Sequence, residues 1–444
     1  MVLLSQLAIA SSSHAILTAT TTNVIIGNAP EVIALSSADK QGFTVNGVFY
    51  SEANGNIKTG EIKEFDGNLT FNDFVISRYD SKNLDKVKNY RDIDGDNADP
   101  SVPFKLETTY YWWYDNTGKR IEGDDKKKII GCGSGYAMPL KLIIKTNVKA
   151  YSAYGIPKES KSITLTKTYQ IAARTQICYA KPYSLEKKPE HQWDGVDDIG
   201  RYFWNDPNYA QRNSAGGGYT QDYVPNYGFK AKPTVSSSTF PTTGFPGAKF
   251  QLVMTGAQSD YKYSIVNDNG GQVAIDTTKG YVILNKKPAG PITVRATLLR
   301  DTQVKIDYTF DPRSIWAIPQ GNFGGSFEEA KIRCGGEQNM LTRLQMSNSP
   351  RSELVGNEAS FENAGDDFLS NAYTRSIGQS LFAEWGWSDQ VTYPDSGWLF
   401  GVHYWTKDKF NGSPTSSSHY VVHSHDGWIG WRLPAGGVSV ACKE

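Results

Sequence analysis

Apolar and polar positions alternate with period two along much of this chain. The pattern runs through "GFTVNGVFY" (42–50), "LTFNDFVISRY" (69–79), "FKLETTYYWWYDNTGKRIEG" (104–123), "PLKLIIKTNVKAYSAYG" (139–155) and "KSITLTKTYQIAA" (161–173). Asn-Gly, Asp-Gly and Thr-Gly steps punctuate it. Such runs are half-buried strands joined by tight turns. Within "TYYWWYDNTGKRIEG" a strand Trp is followed by a turn at Asn116-Thr117-Gly118 and a return strand. An immunoglobulin-like sandwich places a core Trp beside a hairpin in this way. Residues 40–180 are therefore expected to form one Ig-like domain.

Residues 181–240 hold no sustained period and are rich in Gly, Pro, Asn and Tyr. Their aromatic content is too high for a solvated tether, so they read as an irregular connector or insertion. Alternation resumes in "AKFQLVMTG" (248–256), "YKYSIVND" (261–268), "VAIDTTKGYVILN" (273–285) and "GPITVRATLL" (290–299), which predict a second Ig-like domain over 241–313. After "DPRSIWAIP" the pattern changes. "SFEEAKIRCGG" (326–336) carries the Ser326/Glu329 capping box, an apolar face of Phe327, Ala330 and Cys334, and a Gly-Gly stop. A second helix is expected in "SIGQSLFAEWG", ending at Gly386. Aromatic strands "GWLFGVHYW", "HYVVHSH", "GWIGWRL" and "GVSVAC" follow. Two helices and a small antiparallel sheet over 314–444 predict a C-type lectin-like layout. The fold class is thus mainly β: tandem Ig-like β-sandwiches, then a C-terminal α+β C-type lectin-like domain.

Composition narrows the function. Lys plus Arg and Asp plus Glu are both 46, for a net charge of zero. That balance gives no attraction to phosphate and argues against nucleic acid. No G-x-S-x-G, HExxH or phosphate-binding glycine loop is present, so the chain does not read as an enzyme, and no cofactor is implied. The four cysteines, Cys132, Cys178, Cys334 and Cys442, form no CxxC pair. The simplest assignment is two disulfides, Cys132–Cys178 and Cys334–Cys442, which imply an oxidising compartment. The start, "MVLLSQLAIASSSHA", reads as the remnant of a signal peptide over 1–15, although no positive charge precedes it. No apolar run reaches the ~20 residues of a membrane-spanning segment.

This order of parts resembles the extracellular region of the intimin/invasin family of enterobacterial adhesins. "TTYYWWYDNTGKRIEG" and "KAYSAYGIPKES" are similar to that family's Ig-like repeats; "SFEEAKIRCGG", "LFAEWGW", "GWLFGVHYWT" and "GVSVACKE" are similar to its terminal lectin-like module. The resemblance implies a secreted or cell-surface protein of a Gram-negative bacterium, with the Ig-like domains as rigid spacers. The partner it implies is a host cell-surface receptor or glycan. Family adhesins are anchored by an outer-membrane barrel, for which this chain has no room. A cognate outer-membrane barrel translocator is therefore a second expected partner, and the alternative role is a secreted partner that modulates virulence without direct adhesion.

Candidate sites follow. His419, His423, His425 and Asp426 crowd the last strands, where an HxH pair can hold zinc; an aromatic hairpin explains the same residues without a metal. Asp92, Asp94 and Asp96, with Asp99, form an oxygen-rich run suited to Ca²⁺, but Pro103 stands where an EF-hand carries its distal Glu. Calcium-dependent sugar binding would need Glu-Pro-Asn or Gln-Pro-Asp, and neither occurs; Trp204-Asn205-Asp206 lies in the wrong segment. Integrin binding is not supported, because only Glu337 follows Cys334 closely. The expected binding surface is the aromatic set "AEWGWSDQVTYPDSGW" (383–398) with "YWTKDKF" (404–410). In it, Trp398 and Trp405 are assigned to the core, while Trp387, Asp389, Tyr393 and Asp395, with Tyr404, His423 and His425, are assigned to contact a partner.

Overall fold

The computed structural model describes residues 26–33, 38–185, 193–196, 202–204, 218–349, 373–410, 417–425, 427 and 429–444. The expected signal segment 1–15, Asp426, Asn205 and Asp206 lie outside the described residues. The chain is mainly β and divides into two compact units. One contains 1–61, 74–112 and 142–169; the other contains 62–73, 113–141 and 170–444. The chain passes between them within the strands Phe104–Tyr114, Leu140–Ala150 and Ile163–Ala173.

In the first unit, Gly42–Val45 pairs with Val48–Ser51 and Val75–Ile76. Strict alternation buries every second side chain of Leu140–Ala150, as its sequence predicts. Phe43 packs against Phe74, Tyr50 and Tyr169. The buried Lys167 ammonium is met by Asp39 and Glu52, which neutralise it.

In the second unit, Trp113 is fully buried against the edge of Phe71, and the hairpin beyond it pairs Trp113 with Ile121. Asp115 fixes the turn by accepting from the amides of Thr117 and Lys119. The 181–240 stretch is more than a connector. Tyr223–Val224 and Gly228–Lys230 join Ile177–Pro182, Ala248–Met254, Tyr281–Leu284 and Ala274–Ile275 in one six-stranded sheet. Strands of two or three residues are too short to show a period, which is why the pattern missed them. A second sheet, Tyr261–Asn267, Ile292–Leu298 and Lys305–Phe310, covers the same apolar interior.

The capped helix is Phe327–Arg333; Ser326 Oγ accepts from Glu329 N, and Glu329 accepts from Ser326 N. The second helix is Leu381–Trp385, closed by Gly386 at φ +72°. A Cβ at Gly386 would lie 1.9 Å from Arg375 Nη1, so glycine is required there by space as well as by backbone. The C-terminal strands His403–Lys409, His419–His423, Ile429–Arg432 and Ser439–Lys443 lie in one sheet with Ile315–Pro319 and Thr243–Gly244. Both disulfides are present as expected, Cys132–Cys178 and Cys334–Cys442, with Cα separations of 5.6 and 5.3 Å.

The sandwich and the C-terminal module share one hydrophobic core that runs from Ile177 to Ala441. A buried carboxylate joins them. Glu384, on the second helix, is fully buried, and its oxygens accept from Thr242 N and Oγ1, Thr243 N and Oγ1, and Gly378 N at 2.7–3.0 Å. Burial pushes its pKa up, and these donors oppose that shift without cancelling it. Trp385 Nε1 donates to Thr243 O beside it. Arg375, also fully buried, donates to the backbone carbonyls of Glu384 and Ser184 and lies 4.8 Å from the Tyr223 ring centroid.

Glu384→Ala leaves five donors facing a dry interior with no acceptor. It is expected to cost about 3–5 kcal/mol, read as a lower urea midpoint for the transition that exposes the C-terminal tryptophans. An unchanged midpoint would remove Glu384 from this role.

Candidate functional site

The described part of the C-terminal stretch folds as strands and turns. His419–His423 pairs on one side with His403–Lys409 and on the other with Ile429–Arg432. The three histidines do not share one environment. His419 is buried and stacks on Phe327 with ring centroids 3.5 Å apart, in a small core with Trp405, Val421, Cys334 and Cys442. Burial holds its pKa below the ordinary imidazole value. His423 is half-buried at the strand end, in register with His403. His425 lies beyond the strand, in the turn.

That turn is a brace. His425 Nε2 lies 3.0 Å from Asp389 Oδ2, and both side chains are buried. Gly401 N points at the same imidazole nitrogen from 3.0 Å. Asp389 Oδ1 accepts from Val391 N and Thr392 N at 2.8 and 2.7 Å. Ser424 ties the 388 and 402 segments together through its backbone and donates Oγ–H to Leu399 O. The loops 386–402 and 423–425 are thereby locked to one another.

Over this brace lies a surface of rings. The Trp387 and His425 centroids are 4.2 Å apart, Phe400 and His425 4.5 Å, and His403 and His423 5.2 Å. Phe400 is 58% exposed, while Trp387, His403 and His423 are half-buried. These rings supply apolar faces and imidazole hydrogen-bonding atoms.

Several expected contact residues are corrected. Tyr393 and Tyr404 are fully buried and Asp389 nearly so. The Tyr393 hydroxyl donates to Trp385 O and accepts from Ser184 N, and the Tyr404 hydroxyl accepts from Leu399 N. Burial raises the pKa of both phenols. Each of these groups has an internal partner, so Asp389, Tyr393 and Tyr404 hold the surface in place and do not face a partner. His425 likewise supports the surface from below. Of the expected set, Asp395 is exposed, and Trp387 and His423 are half-exposed. Trp398 and Trp405 are core, as expected. Phe400 and His403 were missed; the signal was the apolar Leu399-Phe400 pair set against Gly401, where the chain turns.

The metal reading at the histidines includes Asp426, which lies outside the described residues. Among the described residues, no group of three or more His, Cys, Asp or Glu side chains is gathered to hold a metal ion. In the Asp92, Asp94, Asp96 run, the Asp94 carboxylate accepts from Asn28 N and Nδ2, and Asp92 Oδ1 accepts from Asp94 N. These carboxylates shape a turn instead of converging on a cation. No helix among the described residues is long and apolar enough to cross a membrane.

Residues 222–310 match the family model described as invasin, domain 4. That match supports the resemblance to the intimin/invasin family over residues 222–310. The solved structures it is similar to include crystalline invasin, described as a bacterial integrin-binding protein, at 14% identity and a TM-score of 0.37, covering 93% of this chain and 60% of that one. Another is the C-terminal 282-residue fragment of intimin in complex with the intimin-binding domain of the translocated intimin receptor, at 11% identity and a TM-score of 0.33, covering 80% of this chain and 92% of that one. A third is intimin-190 from enteropathogenic E. coli, at 14% and 0.26, covering 49% and 92%. The chain thus spans about 60% of the invasin structure. At these scores the likenesses place no individual residue. No curated protein matches.

Two outcomes test the histidines. In the unfolded chain His419 takes its proton near pH 6.5, and in the folded chain only at lower pH. Protonation therefore favours unfolding: stability is intact above about 6.5 and falls as pH drops toward the folded value. Thermal unfolding followed from pH 7.5 to 5 should show that decline, and His419→Phe should flatten it. His425→Ala removes a buried partner of Asp389 and is expected to cost about 1–3 kcal/mol, with faster amide exchange at Gly401. Unchanged exchange there would mean that His425 does not brace the loop.

Proposed function

We propose that this protein is an exported adhesin whose C-terminal module binds a host cell-surface protein or glycan through the surface of Trp387, Phe400, His403 and His423. The observation that carries this reading is a partly exposed aromatic surface, centred on Phe400, with a rigid backing. Buried Asp389, His425, Tyr393 and Tyr404 use hydrogen bonds and burial to hold loops that would otherwise be free. Aromatic side chains fixed in advance offer large contact area at little entropic cost, which is the usual makeup of a binding hot spot.

The match of residues 222–310 to the invasin domain 4 model supports the reading. The shared core makes the sandwich and the C-terminal module one body, so the module would present its surface on a stiff base. Such a protein needs no cofactor and no catalysis, and its lodging would be the bacterial surface or the medium. An outer-membrane barrel translocator remains the second partner of this reading.

The test is binding of the whole purified chain to cultured epithelial cells. Saturable binding, unchanged by EDTA and lowered about tenfold or more by Trp387→Ala with Phe400→Ala, is expected; Asp395→Ala should change it little. Binding that ignores the double substitution would overturn the site. No host binding, together with retention on cells that carry an intimin-type barrel, would establish the secreted-partner role instead.

A further inference from the structure

A second surface lies on the outward face of the six-stranded sheet. Its strands, Ile177–Pro182, Tyr223–Val224, Gly228–Lys230, Ala248–Met254, Ala274–Ile275 and Tyr281–Leu284, contain three lysines, Lys181, Lys230 and Lys249, and no Asp or Glu. In Ile177–Pro182, the buried Cys178, Ala180 and Pro182 alternate with the half-buried Tyr179 and Lys181. Register places Lys230 and Val253 beside Tyr179, and Gln251 beside Lys181. Lys181 lies between the other two, diagonal to Lys230 on one side and to Lys249 on the other, so the three lysines share one face.

Tyrosines interleave with them. Lys249 Nζ lies 4.5 Å from the ring centroids of both Tyr183 and Tyr281, and Tyr179 stacks on Tyr227 at 5.2 Å. Tyr183 is 48% exposed. Between the two tyrosine pairs the surface sinks into a cavity of about 350 Å³, lined by Lys181, Gln251, Tyr227 and the bare backbone of Gly133, Gly135 and Gly256. Among the described residues no carboxylate lies within ion-pair distance of Lys181, whose pKa burial lowers with no acid to oppose it. Among the described residues this half-buried ammonium has no counter-charge, and at the wall of a cavity that opens outward it offers a site for an anion.

We propose that this face binds an acidic polysaccharide, with the Lys181 cavity taking a carboxylate or sulfate group and the tyrosine rings packing against sugar faces. The chemistry favours a sugar chain over an acidic peptide. The face offers flat rings between point charges, with a neutral amide at Gln251 at the cavity wall. The proposal is independent of the Trp387 surface and adds a second contact to it.

The experiment titrates the whole chain with a fluorescent heparin octasaccharide at low and at physiological salt. Saturable binding that weakens as salt rises is expected, because exposed charges are screened. Lys181→Gln with Lys249→Gln should lower affinity about tenfold or more. Lys262→Gln with Lys305→Gln, which removes the same charge from the opposite sheet, should leave it unchanged. Trp387→Ala with Phe400→Ala should also leave it unchanged, so this proposal and the adhesion surface fail separately. Equal loss from both lysine pairs, equal binding of polyglutamate or of anionic lipid vesicles, or no binding of the octasaccharide would each overturn it.

Discussion

The second unit depends on a carboxylate that has no access to water. Glu384 gathers two successive backbone amides and two hydroxyls from Thr242 and Thr243, and one amide from Gly378. A buried carboxylate is costly unless nearly every lone pair is met. Here it is met by groups from two separate segments, which it ties to its own helix, so none of the three can shift alone. Thr243–Gly244 is also a strand of the C-terminal sheet, paired with Ile315–Pro319. The carboxylate therefore fixes where the chain leaves the sandwich, how it enters the sheet and where the second helix lies.

Arg375 completes that constraint from the other side. Its guanidinium donates to the Glu384 and Ser184 carbonyls and lies against the Tyr223 and Phe229 rings, and the lack of a Cβ at Gly386 leaves it room. A guanidinium satisfied by carbonyls and ring faces keeps its charge in the interior. Arrangements of this kind add little to stability compared with apolar packing of equal volume, but they penalise every alternative register. Specificity of docking is what a surface such as Trp387–Phe400 requires, because its ring geometry depends on Ser184, which also accepts from Trp387 N.

Much of this was legible in the sequence. The capping box at Ser326, the stop at Gly386, the core Trp113 beside its hairpin and both disulfides follow from local rules that the structure obeys. The family likeness also holds. Glu384 was not legible, because a lone Glu in a short helix ordinarily faces water; its setting between Ala383 and Trp385, in a stretch with no other charge, was the available sign. Asp389 and Tyr393 were misread for the same reason in reverse. A loop punctuated by Gly and Pro suggests exposure, yet its polar groups turn inward to satisfy each other. The short strands Tyr223–Val224 and Gly228–Lys230 were hidden because a period needs more residues than they contain.

The histidine cluster shows how a sequence cluster and a spatial cluster differ. His419 belongs to a small core beside Cys334–Cys442, His425 to a loop brace, and His423 to the surface, although six residues separate the first from the last of them. His419 and His423 share a face of one strand, but one end of that strand lies over the Phe327 core and the other beside His403, and the turn beyond it directs His425 to Asp389. Convergence on a metal would need all three at one place. The acid-free sheet face is the opposite case. Lys181, Lys230 and Lys249 are scattered over almost seventy positions of sequence, the first two in a stretch with no sustained period and the third in an alternating run, yet antiparallel register puts them on one face. Clusters that carry function are thus set by register and by turns, and proximity along the chain is a weak guide to either.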